Sequence, residues 1–344
     1  MKKSLIALAV LGAFAGVASA QSSVTLYGTL DVNARYVKND GSSARYSLSQ
    51  DGINSSQLGF KGVEDLGGGL KAGFVLLSGV NADTGSANAQ FFNRRATVSL
   101  MGNFGEVRLG RDYTPTFWNN TIFDAFGTNG LGDSIGVKQL FATSTYVRSN
   151  NSVGYFLPSN IGGIYGQGMV AAGEGTAAGR YVGGRIGYAA GPFDVAAAYA
   201  QQSQATGKYK TMNVGGSYDL GVVKLMGFYN QEKLTTAKDS IYSVSAVVPM
   251  GQGEIHAAYD RSKLTVGSAS NTVDKLALGY VYNLSKRTAV YSTIARVNNG
   301  NTSANSLGVV GASTVGTANS GSATAAPTLG GKSNGAEFGV RHFF

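Results

Sequence analysis

From residue 24 onward the chain alternates apolar and polar positions in short segments. Between Val24 and Val37, Leu26, Gly28, Leu30, Val32 and Ala34 share one face, and Thr25, Thr29, Asp31, Asn33 and Arg35 share the other. Successive side chains of a β-strand point to opposite faces, so this segment reads as a strand with one apolar and one polar side. The same pattern predicts strands over residues 54–63, 70–78, 90–100, 105–112, 146–157, 161–172, 180–189, 193–202, 209–219, 222–232, 240–248, 254–263, 272–283, 287–297 and 336–344. That makes about 16 strands, an even number that brings both termini to one side of a closed barrel. Glycines in the tight turn at residues 64–69 supply the positive φ that hairpins need. Pro158, Pro192 and Pro249 fall at turns, and Pro115 and Pro327 in longer connections, where a missing N–H does no harm.

Both ends of the chain change the picture. Met1-Lys-Lys, an apolar run from Leu5 to Val17 and Ala18-Ser19-Ala20 read as a signal peptide over residues 1–20, cleaved after Ala20. The other end is the alternating Phe338-Gly-Val-Arg-His-Phe-Phe344, with Phe338, Val340, His342 and Phe344 on one face. An aromatic last residue has to be buried or handed to a partner, because free termini otherwise fray in water. Beyond the signal segment no apolar run approaches the ~20 residues of a membrane helix. Residues 21–344 are therefore expected to form an all-β, transmembrane antiparallel β-barrel of the outer membrane, with short periplasmic turns and long external loops. A soluble β-sandwich or β-helix also alternates. A chain with 18 Tyr and 16 Phe but only 14% charged residues would make its surface adhesive in water.

Barrel size then sets the expected role. About 16 strands leave a water-filled lumen, whereas eight are filled by their own side chains. Asp31, Arg35, Gln57, Lys61, Lys71, Arg185, Glu254 and Lys275 lie opposite the apolar members of their strands and are expected to face that lumen. Tyr188, Tyr199, Tyr259, Tyr280 and Tyr282 read as an interfacial girdle. There is no Cys, which suits passage through an oxidising periplasm and excludes thiol catalysis and thiolate metal sites. The formal charge is +9, or +7 without Lys2 and Lys3, yet no basic run is interleaved with aromatics, so no nucleic-acid partner is expected. Of two histidines, His342 belongs to the terminal segment and His256 stands without a nucleophile elbow or metal pair. An enzyme is not expected, nor a cofactor or metal.

Short stretches spread along the mature chain carry a family resemblance. They are Val24-Thr-Leu-Tyr-Gly28, Leu58-Gly-Phe-Lys-Gly-Val-Glu-Asp-Leu66, Phe92-Asn-Arg-Arg-Ala96, Leu109-Gly-Arg-Asp-Tyr-Thr-Pro115, Arg148-Ser-Asn-Asn-Ser152 and Gly339-Val-Arg-His-Phe-Phe344. In this order the chain resembles the general diffusion porins of Gram-negative outer membranes. The resemblance implies a 16-stranded barrel, usually a homotrimer, whose third external loop folds into the pore. It implies that Phe344 is read by the outer-membrane assembly machinery. The long interruption over residues 113–145, rich in Phe117, Trp118, Phe123, Phe126 and Phe141, is then the pore loop. Its acids, Asp124 and Asp133, would face a basic ladder containing Arg94, with Arg35, Lys61 and Arg148 as further candidates. Each has a plainer reading as lumen lining, lipopolysaccharide contact or, for the acids, turn caps. Trp118 reads as a packing anchor for the loop. Gln57 departs from an Arg common in the family, and Val75 and Leu77 replace polar lumen residues.

The expected function is a channel for passive diffusion of ions and small hydrophilic solutes, with a mild anion preference from the excess of basic lumen candidates. A porin specific for sugars or organic acids, or a barrel acting as an adhesin, are the alternatives. Expected partners are two further copies of the chain, outer-membrane lipid and lipopolysaccharide, and the assembly machinery. Residues 298–334, almost uncharged Gly, Ser, Ala, Thr and Asn, read as a long, flexible external loop.

Overall fold

The computed structural model describes residues 23–86, 88–140, 146–176, 179–307 and 326–344. The signal segment, Phe141 and the middle of the 298–334 stretch lie outside them. The strands are β1 (Ser23–Asn39), β2 (Arg45–Gln50), β3 (Gln57–Gly67), β4 (Leu70–Gly79), β5 (Arg95–Gly102), β6 (Gly105–Tyr113), β7 (Arg148–Phe156), β8 (Ile164–Ala171) and β9 (Tyr181–Ala190). They continue with β10 (Phe193–Gln204), β11 (Gly207–Asp219), β12 (Lys224–Leu234), β13 (Ala237–Met250), β14 (Gly253–Val266), β15 (Ala269–Asn283), β16 (Thr288–Asn299) and β17 (Lys332–Phe343). One helix, α1 (Pro115–Ile122), and a 3-10 turn at Ser134–Val137 lie between β6 and β7.

From β3 onward each strand pairs antiparallel with the next in sequence, and β1 pairs with β17 from Thr29↔Phe343 to Asn39↔Ser333, which closes the sheet. Closure removes the unpaired strand edges that hydrocarbon does not tolerate. The barrel has 16 staves although 17 strands are distinguished. β2 and β3 are two halves of one stave, since both pair with β1, at Val32↔Gln50 and Thr29↔Gln57 respectively. Residues 51–56 leave the sheet between them. The alternation of 54–63 places a strand start inside this excursion, and the structure moves it to Gln57. Asp31 explains the difference: its carboxylate accepts the amides of Gly52 (3.2 Å), Ile53 (2.9 Å) and Asn54 (2.7 Å) in place of ladder bonds.

β5 likewise begins at Arg95, five residues later than its pattern predicts. Asn93 Oδ1 accepts the Gly79 amide at 2.8 Å, a side chain standing in for a strand. At the end of the barrel opposite the termini, β10–β11, β12–β13 and β14–β15 are joined by two residues each, because the strands themselves run on to a tight turn. The long connections are confined to other positions, chiefly between β4 and β5, β6 and β7, and β16 and β17.

The two faces sort as the alternation requires. Leu26, Leu30, Val98, Val195, Val214, Val244, Leu276, Ile294 and Phe338 are exposed on the outside, while Asp31, Asn33, Asn213, Glu232 and Asp260 are buried inside. Such an outer surface is an aggregation liability in water and the natural solvent-facing side in lipid. Tyr188, Tyr199, Tyr259, Tyr280 and Tyr282 all stand on it. The terminal residue closes the seam: Phe344 exchanges backbone hydrogen bonds with Gly28, both at 3.1 Å, and its ring covers Gly28, where any Cβ would collide with it.

Candidate functional site

The segment between β6 and β7 turns into the barrel and packs on its far wall. Thr114 starts it by capping α1: its hydroxyl accepts from the Phe117 amide (3.3 Å) and donates to the Tyr146 carbonyl (2.6 Å), so both ends of the loop meet. Pro115 at the first helical turn lacks the amide that would otherwise be unpaired there. Asn119 Nδ2 donates to Asn213 Oδ1 (2.8 Å), and Asn213 Nδ2 donates back to the Thr116 carbonyl (2.9 Å).

Apolar side chains then enter sockets in the wall. Phe123, fully buried, covers Gly215, where an added Cβ would overlap its ring. Phe126 covers Gly279 and Leu131 covers Gly335, each with 3.0 Å to where a Cβ would stand. These lumen-facing glycines are explained by close approach of the loop. The tip of the loop is also held by the neighbouring 51–56 excursion, where Ser55 donates to Asn129 Oδ1 at 2.9 Å.

The first residues after β16 also fold inward. Ser303 Oγ donates to Gln139 Oε1 (2.6 Å), Asn305 Nδ2 donates to the Lys138 carbonyl (3.1 Å), and Leu307 packs with Phe123 and Val137. The composition of residues 298–334 predicts a flexible external loop; their described beginning is instead part of the pore interior, held there by these contacts.

The balance of acids and bases differs between the two walls. Asp124 is buried within the loop and accepts from the amides of Phe126 (2.8 Å), Thr128 (3.0 Å) and Ser134 (2.9 Å) and from the Ser134 hydroxyl (2.6 Å). Asp133 caps the 3-10 turn through the Gly136 amide and lies 3.8 Å from Lys275 Nζ. Loss of water around it pushes its carboxyl above the ordinary aspartate range, against the pull of Lys275. Beneath the loop Glu232 meets Lys138 (2.8 Å), Asp260 meets Lys275 (3.6 Å), and Asp239 accepts the loop amides of Gln139 and Leu140. Arg35 is paired with Glu337 at 2.8 Å, and Glu337 also accepts the Leu131 amide.

The wall of β5 to β7 is different. It holds two acids, Asp112 and Glu106, and four arginines, of which Arg94, Arg95 and Arg148 gather about Tyr113. Arg108 bridges both acids (2.6 and 2.8 Å) and Arg95 takes Asp112 (2.7 Å). Arg148 instead donates to the Tyr113 hydroxyl at 3.0 Å, with its guanidinium 4.5 Å from the ring centroid, and Arg94 lies within electrostatic reach of the same hydroxyl. Among the described residues neither Arg94 nor Arg148 has a carboxylate within ion-pair distance, and the Nε of each has no hydrogen-bond partner. Trp118 and Phe117 pack on Tyr113 at 5.2 and 5.8 Å, which fixes the base of the loop against this cluster.

Lys61 stands exposed on the lumen face nearer the termini, over the Tyr27 ring at 5.1 Å. The structure thus brings Arg94 and Arg148 together, sets Arg35 and Lys61 apart from them, and puts both loop acids into the loop's own scaffold. The sequence motifs do not single out Arg111, which donates to the Asn93 carbonyl (2.7 Å) and Asn150 (2.6 Å) and so holds the Arg94 segment. Nor do they single out Glu337, Glu232 and Asp239, although each sits at an inward position of its strand. Among the described residues no group of three or more His, Cys, Asp or Glu could hold a metal.

A closed barrel with an apolar outside, a polar inside and a loop fastened across its lumen is a membrane channel. The chain belongs to the Gram-negative porin family, whose profile matches residues 7–302. It is 40% identical to outer membrane porin protein 32 of Delftia acidovorans over the whole of both chains. It is 34% identical to an outer membrane porin protein of Bordetella pertussis over 65% of this chain and 68% of that one. Among solved structures, the anion-selective porin from Comamonas acidovorans matches with a TM-score of 0.84 and 36% identity, covering 94% of this chain and all of that one. The protein is therefore an outer-membrane channel for passive diffusion; the family and these relatives are porins, not enzymes.

Proposed function

We propose that the channel prefers anions and that the preference originates at the β5–β7 wall. The observation carrying this reading is the asymmetry of compensation. Of four arginines there, Arg95 and Arg108 take the two carboxylates, Asp112 and Glu106, and Arg94 and Arg148 are left without one among the described residues. The lumen acids of the other wall are buried under the loop, each next to a cation or holding amides. An ion crossing the narrowest part passes the uncompensated positive charge in a medium less polar than water, where unit charges interact more strongly than in bulk. The anion selectivity of the Comamonas acidovorans relative points the same way. In this reading Arg94 and Arg148 act at the constriction, Lys61 draws anions along the wall, and Arg35, Asp124 and Asp133 position the loop. The working form is a homotrimer, as is general in the family. Residues 1–20 direct export, and Phe344 is the handle for assembly into the membrane.

The test is the reversal potential of the folded trimer in a planar bilayer across a potassium chloride gradient. An anion-selective potential supports the reading. Cation selectivity at low salt refutes it and returns the dominant role to the loop acids.

A further inference from the structure

The outward face of β11 to β14 carries basic side chains in a row that strand pairing makes unfavourable. Lys210 lies directly opposite Lys233, and Lys233 directly opposite Lys238. Directly opposed residues hold their Cβ atoms ~4.5–5.5 Å apart, and like charges at that spacing destabilise a sheet. All three stand on the outer face, since each lies an even number of residues from outward side chains of its strand: Met212 and Val214 on β11, Tyr229 on β12, and Tyr242 and Val244 on β13. Lys208, Lys263 and Arg261 extend the same patch on β11 and β14.

Among the described residues, the acid on the outward face of these strands and of β15 is Asp274, and it is occupied by Arg261 and Tyr259, both at 2.6 Å. Glu232 and Asp239 point inward and are already engaged.

The height of the row identifies what neutralises it. Tyr218, packed edge-on against Phe193 at 4.6 Å, marks the lower aromatic level on β11. Lys210 is eight residues away, roughly 26 Å along the strand and about 20 Å along the axis at the usual tilt. The lysines thus sit at the top edge of the apolar band, at the end opposite the chain termini. In the outer membrane that level is occupied by the phosphorylated headgroups of the outer leaflet lipid.

We propose that this row is a binding site for the phosphate groups of lipid A. Bridging phosphates convert the cross-strand repulsion into charge-assisted hydrogen bonds, and the apolar strip of Met212, Val214, Tyr242 and Val244 below receives the acyl chains.

The test uses the full-length folded protein in detergent. Binding of bis-phosphorylated lipid A is measured by native mass spectrometry beside the same lipid A after phosphatase treatment. The wild type binds the phosphorylated form at least tenfold more tightly, and the difference shrinks in high salt. Replacing Lys210, Lys233 and Lys238 together by Gln weakens binding roughly a hundredfold, at about fivefold per lysine. Single-channel conductance stays unchanged in that variant, which shows that the barrel is folded. A Lys286→Gln, Arg287→Gln control at the opposite rim binds as the wild type does. Equal affinity of the triple variant, or no preference of the wild type for phosphorylated lipid A, overturns the proposal. So does a change in oligomeric mass without a change in lipid binding, which would make the row a contact between copies of this chain.

Discussion

The wall under the pore loop and the wall from β5 to β7 use the same residue types in opposite ways. Beneath the loop each charge answers another: Arg35 with Glu337, Lys138 with Glu232, Lys275 with Asp260 and Asp133. Glycines make room for Phe123, Phe126 and Leu131, so the loop seats as a core does. On the other wall the arginines outnumber the acids; Arg148 leans on the Tyr113 ring and hydroxyl instead, with Arg94 within electrostatic reach of it. One wall is built to hold the loop, and the other keeps a surplus of charge. Net charge of the chain therefore says little about selectivity; what matters is which charges have been consumed by structure.

The sharpest break in this contrast is to spoil the seat. Gly215→Val would place carbon inside the space of the Phe123 ring. Loss of that buried aromatic contact costs about 3–5 kcal/mol when made as Phe→Ala. Either change should release the loop and raise single-channel conductance severalfold in planar bilayers. Heat-modifiable mobility on gels verifies that the barrel itself still forms. Unchanged conductance would mean that the loop does not set the narrowest section.

The next effect concerns the opposite wall. Arg94→Gln combined with Arg148→Gln should lower the anion-to-cation permeability ratio by roughly fivefold to tenfold, since a unit charge at ~4 Å contributes at least ~1 kcal/mol even in water. Reversal potentials measure it directly. Conductance noise in the same recordings reports any loosening at the base of the loop.

A smaller shift of the opposite sign tests the paired wall. Glu337→Gln removes the counter-ion of Arg35 and should increase anion preference by about twofold. It also removes a charged acceptor from the Leu131 amide, so the loop tip should become noisier. If selectivity does not move, Arg35 is too remote from the ion path.

The smallest expected change is at the loop acids. Asp124→Asn and Asp133→Asn should alter selectivity by less than about twofold, because screening and hydrogen bonds already blunt those charges. Asp124→Asn should still lower thermal stability, since the carboxylate holds three amides and a hydroxyl. A large anion-directed shift in either variant would erase the distinction between the two walls.

Strand alternation alone was enough to place the staves, their inward and outward faces and the terminal Phe344, because a barrel wall must be apolar towards lipid and polar towards water at every second residue. Short motifs marked Arg94 and Arg148, and length and composition marked the long aromatic insertion between β6 and β7. Alternation failed at residues 51–56, where Asp31 replaces ladder bonds by capping three amides, and at Arg95, where Asn93 stands in for the sheet. Those substitutions join residues distant in sequence, and no local period records them. The same holds for the pairing of Arg35 with Glu337 and the inward fold of residues 300–307. Sequence decides which side of the wall a charge faces. Only closure of the barrel decides which other charge it meets there, because the partner arrives from the far end of the chain or from a loop crossing the lumen.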